Sequence, residues 1–141
     1  MAFFIGLIIM YTLVWLVSLT GISAALRDPV FCGVVAAAIM FVLVGISHFV
    51  KPEKLLGMIP ANWPYREAMN YVSGAAEILL GIGLLFNQTR QLSAWGLIAL
   101  LVCVFPANIS VAISKPNAYN ISRLFFQPVY IAWVYWFCLR G

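Results

Sequence analysis

Charge is scarce in this chain. Of 141 residues four are acidic, eight are basic and one is histidine, so 9% are charged while 65% are apolar; soluble domains carry roughly a quarter charged residues. The basic side chains are scattered among several segments rather than gathered on one face, which excludes a nucleic-acid-binding surface. A single histidine, His48, excludes a haem held by two histidines of one subunit and a three-histidine metal centre. Cys32, Cys103 and Cys138 show no C-x-x-C or other close spacing, so neither a dithiol redox motif nor a zinc knuckle is present. They read as small packing residues. Flavin, iron-sulfur and metal motifs are missing as well.

What is abundant instead is uninterrupted apolar sequence, with a mean hydropathy of +1.03. At 1.5 Å per residue about 20 apolar residues cross roughly 30 Å of hydrocarbon. Runs of that order occupy 3–26, 29–49, 68–86, 91–114 and 121–139. The expectation is an all-α, polytopic transmembrane helix bundle of about five spans in one domain, with the lipid bilayer as its surroundings. Asp28 and Pro29 form an N-cap and first helical residue for the second span. No basic residue precedes Arg27, and the first run outlasts the core of a secretory signal, so it reads as an uncleaved helix.

Alternating passes place Lys51, Lys54, Arg66, Lys115 and Arg123 on the side of the N-terminus, here side A, and Arg27, Arg90 and Arg140 on side B. The positive-inside rule then predicts a cytoplasmic N-terminus. The segment 51–67, KPEKLLGMIPANWPYRE, is broken by Pro52, Gly57, Pro60 and Pro64 and reads as an interfacial cap on side A, with Trp63 and Tyr65 suited to the headgroup zone.

Polar residues inside the runs are few and patterned. Asn70, Ser73, Gly74, Glu77 and Gly81 recur at helical steps and share one face, a small and polar stripe of the kind that marks contact between helices in lipid. Glu77 lies about 13 Å from the start of its run, Asn108 about 9 Å from the end of the fourth, and Gln127 at a similar depth in the fifth. His48 closes the second run on the same side. One polar layer drawn from four helices is therefore expected. Pro106 leaves the carbonyl of Val102 without its helical N–H, and Pro128 acts likewise beside Gln127; freed carbonyls are tolerated where protein or a water-lined cavity satisfies them.

The candidate roles are proton handling for His48 and Glu77, as catalytic residues, and ligand binding for Ser73, Asn108 and Gln127, with no metal site. Each has a plainer reading. Glu77 serves equally as interhelical glue worth about 1 kcal/mol. His48 fits an interfacial residue and the two amides fit structural partners of kinked backbone; Arg123, four residues from Gln127 and seven from Tyr130, fits either a polar edge with them or a snorkelling side chain. The aromatic tail FFQPVYIAWVYWF fits a lipid belt with helix packing.

The strings GISHFVKPEKLLGMIP, SGAAEILLGIGLL, TRQLSAWGLIALLVCVFPANI and RLFFQPVYIAW together resemble the DoxX-like family of small bacterial membrane proteins over 41–133. The resemblance rests on His48-Phe49 with Pro52, on Pro60 and Pro64, on Ser73-Gly74 with Glu77, on Thr89-Arg90 and on Pro106-Ala107-Asn108. It implies a four-helix core, so that the run 3–26 is an extra N-terminal span, and a loose link to quinone-linked membrane redox systems. Some relatives in that family act as assembly helpers.

Three functions follow as expectations. The first is a subunit of a membrane oxidoreductase that binds a quinone or another amphipathic ligand, with Glu77 and His48 as general acids and a redox partner supplying electrons. The second is a non-catalytic assembly or scaffold protein docking a larger membrane partner or a second copy of itself. The third is a small proton-coupled transporter, for which no internal repeat speaks.

Overall fold

Helix starts are written into the local sequence. Asp28 caps the helix Pro29–Val50 (α2) through a 2.9 Å hydrogen bond from the Val30 N–H, with Pro29 in the first turn where its missing N–H costs nothing. Asn117 caps Ala118–Val134 (α6) in the same manner, accepting from the Asn120 N–H at 2.8 Å. The computed structural model describes residues 2–140 and is all-helical, with no strand among them. Besides α2 and α6 it contains Ala2–Leu19 (α1), the short Pro52–Leu56 (α3), Arg66–Gly83 (α4) and Arg90–Ser114 (α5).

Several ends depart from the apolar runs, each for a local reason. α1 stops at Leu19 rather than continuing to 26, because Gly21 takes a left-handed φ of 75° and the hydroxyls of Ser18 and Thr20 bond the carbonyls of Trp15 and Val17. A single 3-10 turn, Ala25–Arg27, follows. α4 ends at Gly83, where Thr89 Oγ1 donates to the Gly83 carbonyl and Arg90 Nε to that of Leu84, tying α4 to α5 by a tight turn. α6 begins three residues before its apolar run because Asn117 caps it there, and it ends as a π-helical turn, Tyr135–Arg140. α2 and α5 are long and apolar enough to cross a membrane.

The helices form an up-and-down bundle around α2. The α2–α4 pair packs most extensively and runs antiparallel, with Gly45 against Gly74 and Ala38 against Gly81. A Cβ at Gly45 would lie 2.7 Å from the Gly74 carbonyl oxygen, and one at Gly74 would lie 2.9 Å from that of Gly45. Only glycine permits that approach. α5 folds back on α4, with Gly96 against Leu80, and α6 folds back on α5. The end of α6 returns to the start of α2, where the Phe137 ring covers Gly33 and Trp133 Nε1 donates to the Gly33 carbonyl at 3.2 Å. α1 lies alongside α6, pairing Phe3 with Tyr130 and Tyr11 with Trp133. The centre is made of Leu7, Val34, the alanines 36–38, Phe41, Leu84, Leu97 and Val134. Of the cysteines, Cys32 and Cys138 are buried packing residues as expected, whereas Cys103 is exposed; all three are free thiols.

Candidate functional site

The close α2–α4 approach decides which side chains meet. With Gly74 against the His48 backbone turn, the helical step of four from Asn70 to Gly74 carries Asn70 onto the imidazole, and the step of three from Gly74 carries Glu77 onto its other edge. Asn70 is buried and grips His48 twice: its Nδ2 donates to the His48 carbonyl at 3.0 Å, and its Oδ1 lies 2.8 Å from His48 Nδ1.

That double contact settles the imidazole tautomer by elimination. A backbone carbonyl only accepts, so the amide must turn its NH2 to the His48 oxygen and its Oδ1 to the ring; Oδ1 also only accepts, so Nδ1 carries the hydrogen. The exchangeable nitrogen is then Nε2, and it faces Glu77. Nε2 and Glu77 Oε2 are 3.4 Å apart, within ion-pair range, and Oε2 is buried with no hydrogen-bond partner among the described residues. Each of the two side chains keeps 13% of its surface exposed.

A second polar cluster joins α5 to α6. Gln127 Nε2 donates to the Leu101 carbonyl, next to the Val102 carbonyl that Pro106 deprives of its helical donor. Gln127 Oε1 in turn accepts from Asn108 Nδ2 at 2.7 Å, and Asn108 Oδ1 accepts from Arg123 Nη2 at 2.7 Å. Both amide orientations follow from the carbonyl that starts the chain, and both amides are buried.

The single layer expected from depth alone is thus two clusters. The structure brings His48 together with Glu77 and, separately, Asn108 together with Gln127; no hydrogen bond or ion pair among the described residues links the pairs. Ser73 belongs to neither, since its hydroxyl bonds the Met69 carbonyl of its own helix at 2.7 Å. Asn70 belongs to the helical stripe, but its partner His48 is not legible from spacing; Arg123, four residues from Gln127, ends the α5–α6 chain as part of a polar edge rather than snorkelling.

Among the described residues, the two best-defined clefts are lined by neither His48 nor Glu77. One, of about 710 Å³, lies between Ala24, Asp28 and Phe31 and the α4–α5 turn at Phe86 and Arg90. The other, of about 300 Å³, lies beneath the cap segment against the end of α5.

A family model described as "Domain of unknown function (DUF8561)" matches residues 37–138, and the chain belongs to that family. The match takes in both polar clusters and leaves α1 outside. No curated protein and no solved structure matches the chain.

Proposed function

We propose that this member of the DUF8561 family is a five-span integral membrane protein of the DoxX-like type, in which His48 and Glu77 pass protons for a membrane redox system. The membrane reading is supported by the outward faces. Ile5, Ile9, Leu13 and Leu16 on α1, Leu43 and Phe49 on α2, Val72 and Leu79 on α4, Leu92 and Val102 on α5 and Phe125 on α6 are all exposed. Soluble monomers rarely show continuous apolar patches beyond a few hundred Å². The alternating chain direction of the five long helices also suits a polytopic bundle. The cytoplasmic N-terminus rests on the charge distribution, and the bacterial inner membrane on the DoxX-like resemblance.

The observation that carries the proton role is the arrangement at His48. Asn70 holds the hydrogen on Nδ1, so Nε2 is the ring nitrogen left to take up or release a proton, and it faces Glu77 Oε2 at 3.4 Å. With one proton between them such a pair would carry no net charge, which suits a site out of water. Such a pair can deliver protons to the oxygens of a quinone or another amphipathic acceptor held at its exposed edge, by general acid chemistry. Two electrons accompany the two protons of quinone reduction and come from a partner protein.

The test is purification from the native membrane followed by absorbance and mass spectrometry, for wild type and Glu77→Gln. A co-purifying quinone that is lost in the variant supports the reading. Quinone absent from wild type, or retained equally by both, overturns it. The second reading, a membrane assembly or scaffold protein, draws on the Asn108, Gln127 and Arg123 chain, whose two amides are satisfied within the bundle. A stable partner protein retained by both forms would favour it.

A further inference from the structure

We infer that the cleft beneath the cap segment is an anion site for a phosphate group, carried by a lipid headgroup or free in solution, with Arg66 and Lys115 as its cations. The inference goes beyond the proton role and does not depend on it. The cleft, of about 300 Å³, is lined by Gly57, Ile59, Pro60, Ala61, Asn62 and Arg66 from the cap and the start of α4, and by Ser110, Val111, Ser114 and Lys115 from the end of α5. By liquid volume it has room for about ten waters, enough for a phosphate ester with part of its hydration shell.

The lining charge has one sign. Arg66 and Lys115 both line the cleft and, among the described residues, no carboxylate does. Arg66 is held in place from behind, with Nη2 donating to the carbonyls of Leu56 and Ile59, the latter at 3.0 Å. Its Nε is shut off from solvent with no hydrogen-bond partner among the described residues, so a ligand in the cleft would meet the outer nitrogens of an ordered guanidinium. Lys115 is exposed and makes no ion pair among the described residues. Asn62 and Ser110 add a side-chain amide and a hydroxyl to the lining.

Helix ends do not set the sign. The cleft lies between the first residue of α4 and the last turn of α5, whose end dipoles oppose one another. The two side-chain cations therefore decide it. A guanidinium fixed by backbone carbonyls beside a mobile ammonium suits a phosphate, which takes charge-assisted hydrogen bonds from both. A zwitterionic choline headgroup would bring its own cation against Arg66 and Lys115 and should bind less well.

The test uses the full chain in a non-ionic detergent, titrated separately with short-chain phosphatidylglycerol, short-chain phosphatidylcholine and sodium phosphate, reading Kd and thermal melting. Lys115→Gln is the test variant, because Arg66 also holds the cap; Lys54→Gln, on the same side but outside the cleft, is the control. Phosphatidylglycerol should bind more tightly than phosphatidylcholine, with Kd raised about tenfold in Lys115→Gln and unchanged in Lys54→Gln. That result assigns the site to a lipid headgroup. Sodium phosphate showing the same loss in Lys115→Gln, with the two lipids bound equally, assigns it to a free phosphate. If no probe binds, or if every probe binds Lys115→Gln as it binds Lys54→Gln, the inference is overturned.

Discussion

The α2–α4 crossing and the α5–α6 crossing are each sealed by polar side chains, yet they end differently. From Leu101 through Gln127 and Asn108 to Arg123, every amide oxygen and each named donor is used. From the His48 carbonyl through Asn70 and the imidazole, the chain stops at a buried carboxylate oxygen with no hydrogen bond. A buried polar network stabilises a fold only when its members are satisfied. One crossing is thus closed as a brace, and the other leaves an unspent acceptor beside the free imidazole nitrogen, the feature on which the proposed proton role rests.

The largest effect should come from removing the close approach itself. Gly74→Leu places a Cβ 2.5 Å from that of His48 and 2.9 Å from the Gly45 oxygen, so α2 and α4 must separate. A loss of about 3 kcal/mol or more is expected, read as a fall in melting temperature or yield in detergent. A variant as stable as wild type would show that the two helices do not cross there.

Next comes Asn108→Leu, which strands Gln127 Oε1 and one N–H of Arg123 in a partly buried setting. It should cost about 2–3 kcal/mol with little effect on proton chemistry, checked by melting and by quinone retention. Glu77→Gln should reverse the pattern, with stability within about 1 kcal/mol and quinone retention lost, because Oε2 holds no hydrogen bond to break. Were Glu77→Gln as destabilising as Asn108→Leu, the two crossings would be alike and the contrast would fail. The smallest effect belongs to Ser73→Ala. Its hydroxyl only returns to Met69, so stability should change by less than about 0.5 kcal/mol, and ligand retention should not change.

Much of the helix plan was legible from local chemistry. Asp28 with Pro29 marked the start of α2, and the stripe Asn70, Gly74, Gly81 marked the buried face of α4, since capping and helical periodicity act within a few residues. Ends set by a single turn were less legible: Gly21 cut α1 short of its apolar run, and Asn117 started α6 ahead of its own. Counting residues as depth placed Glu77, His48, Asn108 and Gln127 at similar levels but carried no angle around the bundle, so two clusters read as one layer.

The order of residues alone dictated an all-helical chain with apolar outer faces, because hydrophobicity and periodicity are properties of neighbours along the chain. Which polar groups touch was decided by packing. Gly45 and Gly74 let two backbones approach until Asn70 grips His48 and turns its free nitrogen to Glu77, while Pro106 leaves a carbonyl untended near the one Gln127 reaches. A contact between residues tens of positions apart depends on helix rotation and separation, and those are settled only when all the faces are packed together.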